Sequence, residues 1–135
     1  MKKELLVILC IGMMFAAPAC SVKRRATEKI RDLDFSVVRE EEVPQELLEK
    51  IEEKERKAFR FTYLDQGVRY IAKGYGEKET SGYTVKVTAC YEMPEAIAIR
   101  TELLGPPKEE KVRKERMNPH VVIRLNDIGK NVIFE

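Results

Sequence analysis

The sequence predicts a mainly β (α+β) domain, an antiparallel β-sandwich or partly open barrel with one amphipathic helix. Three observations predict it. Six or seven segments are strand-like, with apolar residues on a period of two in the clearest of them; most of the connections between them are short; and one segment carries a helical apolar stripe. Strands joined in sequence by short turns pair antiparallel, and 135 residues leave room for one such domain.

The elements follow in order. "DFSVVRE" (34–40) is the first strand candidate. Pro44 then opens "PQELLEKIEEKERKAF", where a proline suits the first helical position and Leu47, Leu48, Ile51 and Ala58 form a narrow stripe. Glu46 with Lys50, Glu52 with Arg56 and Glu53 with Lys57 add acid-before-base pairs four apart. The period changes to two at Phe59: "FRFTYL" (59–64) and "VRYIAKGY" (68–75) predict a hairpin around a three-residue loop, "DQG". The clearest strand holds Tyr83, Val85, Val87, Ala89 and Tyr91 on one face, expected to be the dry one, against Thr84, Lys86, Thr88, Cys90 and Glu92. "AIAIRTELL" (96–104) returns beside it. Residues 105–119 form the one long loop, after which "HVVIRL" and "NVIFE" supply two last strands joined by "NDIGK".

The N-terminal stretch "MKKELLVILCIGMMFAAPAC" reads as an export signal, residues 1–19, with Lys2 and Lys3 before an uncharged run from Leu5 to Ala17. That run is too short for a bilayer core, which takes about 20 apolar residues. A small residue directly before Cys20 resembles the lipobox of bacterial lipoproteins, although Ala17 stands where a leucine is usual. The resemblance implies that Cys20 is the lipidation site, carrying a palmitate-class acyl anchor, with residues 20–33 as a tether and the protein on the extracytoplasmic face of the cell membrane. Plain secretion after cleavage and an uncleaved anchor are the alternatives. Lys23, Arg24 and Arg25 argue against export, because basic flanks favour the cytoplasmic side; exported, each would add about 1 kcal/mol of attraction to anionic lipid.

Composition narrows the function classes. A net charge of +2 with 36% charged residues gives no basic excess of the kind nucleic acid requires. One histidine (His120) and three cysteines leave little material for a metal centre or a nucleophilic triad, so no metal, cofactor, catalytic residue or small-molecule substrate is expected, and the chain is read as a non-enzyme. Cys10 would leave with the signal and Cys20 would be acylated, so no intrachain disulfide is expected for Cys90.

The stretch "GYGEKETSGY" (74–83) admits three readings. Phosphate-binding glycine loops lie between a strand and a helix, whereas a strand follows here. Glu77 as a general acid or base lacks a partner at a spacing that guarantees convergence. The preferred reading is a hinge: Gly76 and Gly82 take positions other residues cannot, Thr80 or Ser81 caps a turn, and Tyr83 anchors the strand inside.

"GEKETSGYTVKV", "ELLGPPKEEKV", "NPHVVIRL" and "VIFE" together resemble the C-terminal domain of the PrcB family of bacterial lipoproteins, over residues 34–135. The positions carrying the resemblance are Gly76, Glu77, Lys78, Thr80, Gly82 and Tyr83, then Pro106 and Pro119. Ser81 stands where the family usually has glycine, and Asn118 where an aromatic is common. The resemblance implies a non-catalytic, surface-anchored binding or assembly module that associates with an extracellular protease or another envelope protein. An exported protease inhibitor presenting loops 74–83 and 105–119 is the alternative.

Overall fold

The computed structural model describes residues 29–108 and 111–135; the predicted signal segment, Cys20 and most of the predicted tether lie outside the described residues. The described chain forms β1 (Arg31–Asp32), β2 (Ser36–Val37), a 3-10 turn (Glu40–Glu42), α1 (Gln45–Lys54), β3 (Ala58–Asp65), β4 (Val68–Tyr75), β5 (Thr84–Glu92), β6 (Ala96–Leu104), β7 (His120–Asn126) and β8 (Asn131–Phe134). They build two four-stranded sheets, ordered β1-β5-β6-β8 and β2-β7-β4-β3, with no closed barrel. All pairings are antiparallel except β6 with β8, which is parallel.

Three layers result. Ile71, Val121, Ile123 and Leu125 turn from β4 and β7 toward Cys90, Ile97 and Ile99 of the other sheet and make the core between the sheets. The alternate residues Ala72 and Val122, with Phe59, turn the other way and pack under Leu47 and Ile51 of α1. The β2-β7-β4-β3 sheet is therefore covered on both faces, which is why "VVI" at 121–123 is an unbroken apolar run. Tyr63 donates from its hydroxyl to Glu46 Oε2 at 2.8 Å, tying helix to sheet and raising the phenol pKa above its ordinary value.

Several local expectations are corrected. The helix stops at Lys54, and Ala58 is the first, exposed residue of β3 rather than part of the stripe. Asp65 pairs with Val68, so the hairpin loop is the two residues Gln66 and Gly67, at φ 48° and 80°, as a primed turn requires. The strand expected over 34–40 is reduced to two residues, and Arg31–Asp32, within the predicted tether, pair with Glu92 and Tyr91.

The largest correction concerns β5. Its register against β6 shifts between Val87 and Ala89, so Thr88 is an extra residue and the inward parity changes there. Val85 and Val87 pack on the core before the bulge, and Cys90 takes the inward position after it. Tyr91 instead reaches out to hydrogen-bond Glu135. Tyr83 is half-buried and belongs to neither core cluster, so the single inward row from Tyr83 to Tyr91 does not form.

One side of the sandwich is shut and the other half open. At the β3/β8 side the Arg60 guanidinium lies over the Phe134 ring, 5.7 Å from its centre. At the other side the chain crosses from β1 to β2 and covers only the far end of β5 and the middle of β7. β1 meets β5 at Tyr91 and Glu92, and β2 meets β7 at Ile123 and Arg124. Among the described residues, no strand pairs on that side with the start of β5 or with His120 and Val121 of β7.

Candidate functional site

The residues singled out in the sequence meet at one corner of the sandwich, where the 76–83 bend is stitched to the 105–119 loop. Lys78 and Met117 form a two-way backbone bridge, with N–H to carbonyl distances of 2.8 and 3.0 Å. Ser81 N–H donates to the Arg113 carbonyl at 3.1 Å, and Arg113 N–H donates to Ser81 Oγ at 3.0 Å. Pro119 accepts from Tyr75 N–H at 3.1 Å and is buried.

Two glycines set the path of the bend. Gly76 (φ 84°) turns tightly against the end of the helical segment: a Cβ there would lie 3.3 Å from Ala58 N and 3.4 Å from the Arg56 carbonyl. At Gly82 (φ 92°) a Cβ would lie 2.8 Å from Pro106 Cβ. Both positions therefore reject a side chain on conformation and on space.

Glu77 faces two guanidiniums, Arg116 Nη1 at 3.5 Å and Arg56 Nε at 3.8 Å. Both arginines are largely exposed, so each pair contributes at most about 1 kcal/mol and serves chiefly to orient the bend. Thr80 is half-buried. Tyr83 follows Gly82 and packs toward Gly105, where an added Cβ would sit 3.9 Å from Tyr83 Cε1.

Beside this corner lies a groove of about 390 Å³ between the uncovered edges of the two sheets. Tyr83, Thr84 and Val85 line it from one sheet and Met117 to Val122 from the other; Val37, Val38, Glu40 and Val43 and the α1 residues Leu48 and Ile51 complete it. Asn118 Oδ1 is buried there without a hydrogen-bond partner. His120 Nδ1 donates to the Asn118 carbonyl at 2.8 Å, which fixes the imidazole against the loop. Among the described residues, no group of three or more His, Cys, Asp or Glu side chains is placed to hold a metal ion, and no helix is long and apolar enough to cross a membrane.

Residues 69–126 match the family model described as PrcB C-terminal. That segment is similar to a PrcB C-terminal domain. The matched segment runs from β4 through β7 and includes the whole stitched corner, whereas α1 and the first two strands lie outside it. Neither a curated protein nor a solved structure matches the chain.

The two departures from the family pattern have visible consequences within the matched segment. Ser81, in place of the usual glycine, contributes the hydroxyl that accepts from Arg113. Asn118, in place of an aromatic, contributes the unpartnered oxygen. The groove itself was not legible in the sequence, because Val37, Val38 and Val43 reach it only through pairing of β2 with β7 across more than eighty residues. The exposed apolar Val37, 64% accessible in a strand, becomes a signal only once its position is known.

Proposed function

We propose that this chain is a non-catalytic, membrane-anchored extracytoplasmic binding and assembly module that associates with an extracellular protease complex. The observation that carries the reading is the stitched corner. Gly76, Lys78, Gly82, Pro106 and Pro119, five of the residues that carry the family pattern, hold two loops in one surface, which suits a docking element. The family match supports the protease association, and the predicted acylation of Cys20 supports the anchor.

The reading is tested on the native protein. The mature N-terminus is determined by mass spectrometry, and the protein is solubilised from membranes under gentle conditions. An acylated Cys20 and co-purification with a protease subunit are the expected results; recovery as a free monomer with no partner would count decisively against the assembly role.

One observation favours a second reading, a protease inhibitor. The two loops that such an inhibitor would present are held side by side by the Lys78–Met117 and Ser81–Arg113 hydrogen bonds, and residues 111–116 beyond them are exposed. Titration of the purified protein against secreted serine and cysteine proteases separates the two, since an inhibitor acts alone.

A further inference from the structure

We propose that the groove between the sheet edges receives an extended peptide segment from a partner protein, paired backbone to backbone with β7 at His120. The inference rests on the assembly reading above and gives its partner a chemistry.

The first observation is the direction of the β7 backbone groups. The Pro119 carbonyl accepts from Tyr75 of β4, and the Val122 carbonyl accepts from Val38 at 2.8 Å on the opposite side. Strand residues alternate, so His120, like Val122, turns its N–H and C=O away from β4 and toward the groove. The chain after Val38 leaves β7 for the turn at Glu40–Glu42, so the edge at His120 continues the β2 line with no strand on it. A peptide added there extends the sheet with main-chain hydrogen bonds.

The second observation is Asn118, which lines the groove and whose Oδ1 is buried with no hydrogen-bond partner among the described residues. An incoming amide N–H satisfies it once the side chain turns into the groove. The third is the pattern of charge: the turn beside Glu40 carries Glu41 and Glu42 after Arg39, whereas the loop leading to Met117 carries five bases, Lys108, Lys111, Arg113, Lys114 and Arg116, against three acids, Glu109, Glu110 and Glu115, with Arg116 also facing Glu77. The complementary segment is apolar at alternate positions, acidic where it passes the loop and basic where it passes the turn.

The test is an NMR titration of the detergent-solubilised full chain. The probe is a synthetic peptide of alternating valine and threonine with two lysines at one end and two aspartates at the other, together with its reversed-sequence twin. One of the two is expected to shift the amides of Thr84 to Lys86 and His120 to Val122. Val37→Glu at the exposed mouth should weaken it by at least about tenfold, Asn118→Leu should weaken it, and Val37→Thr should leave it within about twofold.

Shifts confined to the β3 or β8 edge, no shift with either peptide, or equal affinity for Val37→Glu would each overturn the proposal. So would groove shifts driven by protein concentration alone, which would seat a second copy there. Membrane co-purification run in parallel keeps the two readings apart. A partner retained by both wild type and Val37→Glu removes the groove and leaves the assembly role standing; no partner with either removes the assembly role, and the titration still decides the groove.

Discussion

Replacing Gly82 by alanine perturbs the stitched corner at its tightest point, and the structure allows the cost to be separated into two parts. The first is conformational: φ is 92°, where an alanine costs about 1–3 kcal/mol. The second is the contact, because the new Cβ would lie 2.8 Å from Pro106 Cβ and 3.5 Å from Val112 Cγ1, so the loop carrying Pro106 has to move. Overpacking of this kind costs about 1–3 kcal/mol, which puts the total at roughly 2–6 kcal/mol. Gly129→Ala supplies the reference, since Gly129 also has a positive φ (71°) but nothing within 4 Å of its added Cβ. Urea unfolding of both variants should show Gly82→Ala the more destabilised by about the contact part. Pro106→Gly removes the opposing Cβ, so the double variant Gly82→Ala/Pro106→Gly should show favourable coupling between the two sites. Equal losses at Gly82 and Gly129, or no coupling with Pro106, would refute the view that these loops are locked against each other.

Two further predictions concern titratable groups. Lys130 donates to Glu92 Oε2 at 2.6 Å and Arg31 to Oε1 at 2.7 Å, and these bonds hold the carboxyl below its ordinary 4.5. A depressed folded-state pKa contributes stability that is present above the ordinary value and lost as pH falls through the folded one. Glu92→Gln should therefore destabilise the protein at neutral pH, with the gap to wild type closing below about pH 4.5 in urea midpoints; a gap independent of pH would contradict this. Burial pushes the Cys90 thiol up to about 11, and the residue is 4% accessible. In a chain with Cys10 and Cys20 replaced by serine, a disulfide reagent at about pH 8 should label Cys90 only as fast as the domain opens, and rapid labelling under native conditions would place the sulfur outside the core.

Much of the β fold was legible because its strands obey simple patterns. β4 and β6 run over the segments read from alternation, and Gly67 marked the hairpin between β3 and β4. The stitched corner was legible in part, because Gly76, Gly82 and Pro106 are residue types with few structural uses. What stayed hidden depends on pairings distant in sequence. The Thr88 bulge leaves an apparently unbroken alternation in the text of the sequence, yet it moves Cys90 inside and Tyr91 out. Nothing local to Arg31–Asp32 marks them as a strand; two polar residues pair there because β5 offers an edge. The parallel docking of β8 on β6 was likewise unreadable, since its alternation fits either direction. The groove combines all three difficulties, being defined by where the short strands stop.

Coverage of the β2-β7-β4-β3 sheet on both faces bears on how the molecule breathes. β4 lies between β3 and β7 with apolar layers above and below, and side chains such as Ile71 and Ile123 have no accessible surface. The companion sheet turns Lys86, Arg100 and Glu102 to water on its outer face. Solvent hydrogen exchange therefore has two tiers: the companion sheet can open by itself, while the amides bonded between β4 and β7 surrender their protons only when the whole domain comes apart.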